Sequence, residues 1–283
     1  MLTDELSSKK IQRIVSLVPS VTEILYFLGL EDRIAGVTEN CNYPKEAAGK
    51  FKVGTFGYPQ LEKIISLKPD IVLGDKALHG RFQAELEKQD IIFLDTTTAK
   101  VEDIFRLMEE LGKITGTATK SHTSLTLLQE RLAKVRSAAD RRKPRVFYLM
   151  STEPFVTPGP RSCQYDALKL AGARLLDFQT PDSYAKVGWQ QIKKFDPEVI
   201  LFCGVAKGQV PPLKCKGCLA KKPICRRTAD DIRTGQWQEL NAVRKGRLYP
   251  ISCATICRPG PRLIEGVEKL HNLLTNVPLT ATE

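Results

Sequence analysis

Short apolar runs and helical stretches alternate along this chain in two series, and one long helical pattern separates them. The first series opens with Ile11 to Val18, apolar enough for a buried parallel strand. Pro19-Ser20 breaks that run, and Thr22-Glu23 opens a helix to Leu30, with Ile24, Leu25, Phe27 and Leu28 on its apolar face and Ser20 or Thr22 as its cap. Strands follow at Ile34–Val37, Ile71–Leu73 and Ile91–Leu94, and helices at Leu61–Leu67, Phe82–Lys88 and Val101–Leu111. In residues 117 to 140, Leu125, Leu128, Leu132 and Val135 form one apolar stripe, ended by Arg141-Arg142-Lys143-Pro144. The second series has strands at Val146–Met150, Val199–Phe202 and Leu248–Ile251. Its helices lie at Asp166–Ala171, Gln191–Phe195 and Leu263–Leu274, with Gly172 as a helix stop. Strand–helix alternation of this kind predicts parallel sheets wrapped by helices. The expected fold is α/β: two doubly wound lobes, 1–115 and 144–283, joined by one long helix over 116–143.

Composition narrows the function. Hydrophobic residues make up 42% and charged residues 27% of 283 residues, which describes a globular chain. No apolar stretch approaches the roughly 18–20 residues that cross a bilayer, so no membrane insertion is expected. Met1 to Lys10 lacks the apolar core of a secretory signal, which favours the cytoplasm; an exported protein whose signal has been removed is the alternative. The net charge of +11 lies partly in Arg141-Arg142-Lys143 and in Lys214 to Arg227, without a zinc-finger, RNA-binding or helix-turn-helix pattern, so nucleic acid is not expected as a partner. Neither a GxSxG elbow, a GxxxxGK[ST] loop nor an HExxH helix is present, and a binding protein is favoured over an enzyme.

Six of the eight cysteines crowd the last third of the chain, the first of them Cys203. Cys215, Cys218 and Cys225 have C-x2-C-x6-C spacing inside an insertion at about 204–236, and Cys253 and Cys257 follow. A chain of this size does not need disulfides for stability, and CxxC spacing suits a metal. Cys203, Cys253 or Cys257 would supply a fourth ligand to the Cys215–Cys218–Cys225 set. An iron–sulfur cluster, zinc, and no permanent metal or a disulfide set are the open alternatives, with iron–sulfur placed first because zinc needs only four of the thiols. Cys41 is equally well read as a small buried residue. Among the histidines, His122 and His271 read as helix-surface residues, and His79 as a possible metal or cobalt ligand.

The motifs then point to a family. Arg13-Ile14-Val15-Ser16-Leu17-Val18-Pro19-Ser20-Val21-Thr22-Glu23 resembles the opening of the iron-siderophore and cobalamin solute-binding proteins. The similarity continues through Cys41-Asn42-Tyr43-Pro44-Lys45-Glu46, Val53-Gly54, Leu61-Glu62-Lys63-Ile64 and, most specifically, Leu67-Lys68-Pro69-Asp70-Ile71-Val72. In the second half, Trp237, Ala242-Val243-Arg244, Gly246-Arg247-Leu248-Tyr249 and Arg258-Pro259-Gly260-Pro261-Arg262 are similar to the cobalamin branch. Only about residues 205–235 fall outside the likeness.

The resemblance implies a class III solute-binding fold holding a small-molecule ligand, a corrinoid or a metal chelate, at the carboxyl ends of its strands. Pro19, Ser20, Tyr43, Phe56, Tyr58 and Trp189 are the ligand-binding candidates, the aromatics offering flat apolar area to a corrin ring. Cobalamin transport proteins dock on an ABC permease through a glutamate on each lobe. The matching positions here, near Gly80-Arg81 and at Cys257, carry no carboxylate, so a permease partner is in doubt. The leading expectation is therefore a cytoplasmic corrinoid-binding protein with a cysteine-bound metal centre at or near the cleft. Its alternatives are an iron–sulfur redox or cluster-carrier protein on the same fold, and an ABC-transporter binding protein for ferric chelates or cobalamin.

Overall fold

The structure, a computed structural model, describes residues 10–138, 143–179, 181–209 and 227–276. The chain divides into two compact units. One takes in the N-terminal residues through Thr98 together with Glu102–Gln129; the other holds Ala99–Val101 and the described residues from Glu130 onward.

The first series of elements is β1 (Ile14–Ser16), α1 (Pro19–Phe27), β2 (Ile34–Val37), α2 (Leu61–Ser66), β3 (Ile71–Gly74), α3 (Lys76–His79), α4 (Gln83–Glu87), β4 (Ile92–Asp95), α5 (Val101–Ile114) and α6 (Ala118–Ala138). The four strands form one parallel sheet in the order β2-β1-β3-β4. The chain starts in the middle, steps to one side and then crosses to the other, so the strand order reverses between β1 and β3. β1 has neighbours on both edges, and all three of its residues are buried, which is why its sequence reads as a continuous apolar run. Helices α2 and α4 close one side of the sheet: Ile64 and Leu86 pack with Val15, Leu17, Val53, Val72 and Ile91.

Helix α1 begins at Pro19, three residues before the sequence expectation. Proline is suited to the first helical position because its missing N–H would have no partner there. Ser20 and Thr22 thus lie inside the helix instead of capping it, and Val18 occupies the cap without a side-chain hydrogen bond. In α6, Leu125, Leu128, Leu132 and Val135 are all buried, as the stripe requires. This 21-residue helix leaves the first unit after Gln129 and enters the second.

The second unit continues with β5 (Val146–Leu149), β6 (Ser151–Thr152), β7 (Phe155–Pro158), α7 (Cys163–Leu170), β8 (Tyr184–Lys186), α8 (Trp189–Phe195), β9 (Val199–Cys203), α9 (Asn241–Arg244), β10 (Leu248–Ile251), α10 (Cys253–Ile256) and α11 (Arg262–Thr275). β10, β9 and β5 form a parallel sheet in that order, and β6, β7 and β8 form a separate antiparallel one that the alternation pattern does not predict. Helix α7 starts at Cys163, earlier than expected, because the Ser162 hydroxyl accepts from the Tyr165 N–H and caps it. The core gathers Phe147, Leu149, Ile192, Ile200, Phe202, Trp237, Leu240 and Leu248.

Candidate functional site

Because β1 to β4 are parallel, their carboxyl ends share one edge of the first sheet. Two loops are stitched onto that edge by buried polar contacts. Thr38, just past β2, donates to the Leu17 carbonyl at 3.2 Å, and the Cys41 sulfur lies 3.1 Å from the Thr22 hydroxyl and 3.2 Å from that of Thr38. Thr22 also lies 2.9 Å from the Ser16 hydroxyl. Cys41 is therefore a buried member of a hydroxyl network in the first unit. Its neighbour Lys52 donates to the Ala47 carbonyl; burial pulls its pKa down, opposed by the Cys41 sulfur and the Glu39 carboxylate nearby.

The second loop is held from both sides. The Phe56 N–H donates to Asn40 Oδ1 at 2.8 Å, and the Phe56 carbonyl lies 2.8 Å from His79 Nε2. His79 Nδ1 accepts from the Asp75 N–H at 3.0 Å, so Nδ1 carries no proton and Nε2–H donates to Phe56. The ring is fully buried, stands edge-on to Phe56 with centroids 5.5 Å apart, and burial lowers its pKa. Both nitrogens are committed to the protein, which corrects the reading of His79 as a metal or cobalt ligand. His271 is a further correction: it is buried, with Nδ1 3.3 Å from the Ala171 carbonyl.

The expected ligand-binding residues divide into three kinds. Tyr43 and Tyr58 are exposed, at 44% and 70%, on the two stitched loops. Phe56 and Pro19 are half-buried in the first unit, and Ser20 is buried in α1. Trp189, in the second unit, stacks edge-on against Trp237 at 5.4 Å and lies 6.3 Å from Phe155, so much of its surface serves the core.

In the second unit, β5, β9 and β10 also end along one edge. Here the Tyr148 hydroxyl, fully buried, lies 3.1 Å from Cys203 Sγ and 3.6 Å from Cys257 Sγ. Burial first, and then the two sulfurs, raise the tyrosine pKa well above its ordinary value, so the phenol stays neutral. Arg227 reaches the same place, donating through Nη2 to Thr152 at 3.3 Å; burial lowers its pKa, opposed by Cys203 and Asp231. Of the expected metal ligands, only Cys203 and Cys257 are seen together. Cys215, Cys218 and Cys225 lie outside the described residues, as does the side chain of Cys253, whose backbone opens α10. Among the described residues no group of three or more His, Cys, Asp or Glu is arranged to hold a metal. Tyr148 and Arg227 escape sequence reading because one sits in an apolar strand and the other in a basic run.

This arrangement of parallel sheets has close counterparts. A match to the periplasmic binding protein family spans residues 14–252. The chain belongs to that family. Among its relatives, a vitamin B12-binding protein of Vibrio parahaemolyticus is 27% identical over 267 residues, covering 93% of this chain and 89% of that protein. An uncharacterized ABC transporter substrate-binding lipoprotein of Bacillus subtilis is 30% identical over 276 residues, covering 93% and 79%. The crystal structure of the periplasmic vitamin B12 binding protein of Vibrio cholerae superposes with a TM-score of 0.75 at 24% identity, covering 94% of this chain and 97% of that one. At that identity the superposition establishes the class III periplasmic binding fold, and so does a periplasmic heme-binding protein at TM-score 0.77 and 19% identity, covering 94% and 98%.

Proposed function

We propose that this periplasmic binding protein captures a corrinoid of the cobalamin type and delivers it to an ABC permease. The observation that carries the reading is the pair of exposed tyrosines, Tyr43 and Tyr58, held over the carboxyl edge of the first sheet by loops whose backbones are pinned at Asn40 and His79. Large aromatic side chains left in solvent on fixed loops suit the broad apolar faces of a macrocycle. Relatives that align over 93% of this chain are vitamin B12-binding proteins, which supports the same ligand class. Haem and ferric chelates form the second reading, favoured by the fold's likeness to a heme-binding protein.

The lipoprotein and periplasmic relatives support export over the cytoplasmic expectation, and with it a permease partner despite the absence of docking carboxylates near Gly80-Arg81 and at Cys257. No helix among the described residues is long and apolar enough to cross a membrane. The iron–sulfur and zinc readings, and with them the redox or cluster-carrier alternative, draw no support from the described residues.

Absorption titrations of the protein with cobalamin, haemin and a ferric hydroxamate test the assignment. Cobalamin is expected to shift its bands at micromolar protein. Tyr58→Ala should weaken binding by about 3- to 10-fold, the loss of one aromatic contact of ~0.5–1.5 kcal/mol. A response to haemin alone would replace the corrinoid reading with the second one.

A further inference from the structure

The thiol pair of the second unit takes no part in the ligand reading above, and it has the makings of a site of its own. One phenol carries one hydrogen, so Tyr148 donates to one of Cys203 and Cys257 and accepts from the other. The two sulfurs are thus no farther apart than the two oxygen–sulfur distances laid end to end. Cys203 is buried at the end of β9, whereas Cys257, just past α10, is half-buried, so the pair has an inner and an outer member. The Arg227 guanidinium interacts electrostatically with Cys203, and among the described residues its buried Nη1 has no hydrogen-bond partner. A buried N–H of a cation left without a partner marks a place where negative charge is favoured.

We propose that Cys203 and Cys257 form a two-thiolate site for a soft monovalent cation of the Cu(I) type, with Arg227 as the counter-charge and Tyr148 as a positioning residue. Thiolate sulfur selects soft cations, and Cu(I) is the soft first-row ion. Two sulfurs facing each other across one ion, each about 2.3 Å from it as in other thiolate–metal bonds, fit within the span the phenol sets. Zinc would require four ligands, and the described residues supply no third Cys, His, Asp or Glu to the pair. Charge also distinguishes the ions. Two thiols and Cu(I) give a bis-thiolate complex of charge −1 and two released protons, and the Arg227 charge makes the buried assembly neutral. A divalent ion would leave a surplus positive charge against the guanidinium. Asp231, the acidic group that also acts on Arg227, is exposed and committed to the Thr228 N–H and hydroxyl, so water screens it.

The test uses the full chain, reduced and anaerobic, with Cys215, Cys218 and Cys225 all changed to serine so that they cannot supply sulfur. Cu(I) is delivered from a bathocuproine disulfonate buffer. One Cu(I) per chain should resist the chelator, with two sulfur neighbours by X-ray absorption, and neither Zn(II) nor Mg(II) should displace it. Adding Cys203→Ser or Cys257→Ser should abolish the retained copper, and Arg227→Met should weaken it by about 10-fold. Circular dichroism confirms that each variant is folded; should Cys203→Ser unfold, Cys257→Ser at the half-buried position carries the same prediction. Copper retained equally in both cysteine variants would overturn the proposal. So would Zn(II) binding as tightly as Cu(I), or a Cys203–Cys257 disulfide that survives the reductant.

Discussion

His79 is held as a neutral ring by two backbone groups, one donating to Nδ1 and one accepting from Nε2. A second proton would remove the acceptor that the Asp75 N–H uses, and it would place a charge in a fully buried position. Burial accordingly lowers the folded-state pKa below the 6.5 of a free imidazole. The unfolded chain then binds more protons than the folded one once pH drops below about 6.5, so stability falls from there down to the folded-state pKa and is unaffected above that window. His79→Gln keeps a donor and an acceptor but cannot titrate. Its melting temperature should change less than that of the parent between about pH 6.5 and 5, and an identical pH slope in the two would show that His79 is not the titrating group. At this scale the sequence is a partial guide. Cys41 is legible as a small buried residue, and Tyr43 and Tyr58 as loop aromatics, which the structure leaves exposed. The commitment of His79 is not legible, because its partners are main-chain atoms of Asp75 and Phe56, and the second is brought there by folding alone.

Among elements, the approach of α10 to α11 is a tight backbone contact with a testable residue in it. A Cβ built on Gly266, inside α11, would stand 2.1 Å from the Thr255 carbonyl oxygen. That oxygen belongs to backbone and cannot swing aside as a side chain would. Gly266→Ala gains about 1 kcal/mol of helix propensity, yet forcing the helices apart costs about 1–3 kcal/mol and disturbs the loop that carries Cys257. A net loss of about 1–2 kcal/mol is expected from urea unfolding, and a stabilised variant would contradict the packing described here. The long elements are the legible ones. The stripe Leu125, Leu128, Leu132 and Val135 fixes α6, and α11 falls within a residue of its expected bounds at either end. The antiparallel sheet β6-β7-β8 is not legible: its strands have two to four residues, and β8 joins the others from some thirty residues away. Such pairing leaves no period in a local window.

At the scale of the whole molecule, a strand order of β2-β1-β3-β4 places a reversal point between β1 and β3, where α/β sheets present ligands beyond their carboxyl ends. The stitched loops with Tyr43, Phe56 and Tyr58 stand at that edge of the first unit. The family and its α/β fold are legible from ordered motifs such as Leu67-Lys68-Pro69-Asp70, since a turn between a helix and a buried strand constrains both neighbours. The compartment and the role of the cysteines are not legible in the same way, because thiols suit metals, redox chemistry and plain burial alike. A bound ligand stabilises the folded chain by mass action, by about 2.7 kcal/mol at a hundredfold excess over Kd. Isothermal titration of cobalamin into the full chain decides whether it captures a corrinoid. Saturation at one cobalamin per chain is expected, with a Kd of micromolar or tighter and a negative heat-capacity change from buried apolar surface. No saturable heat at any temperature, with cobalamin recovered unbound on dialysis, would contradict it.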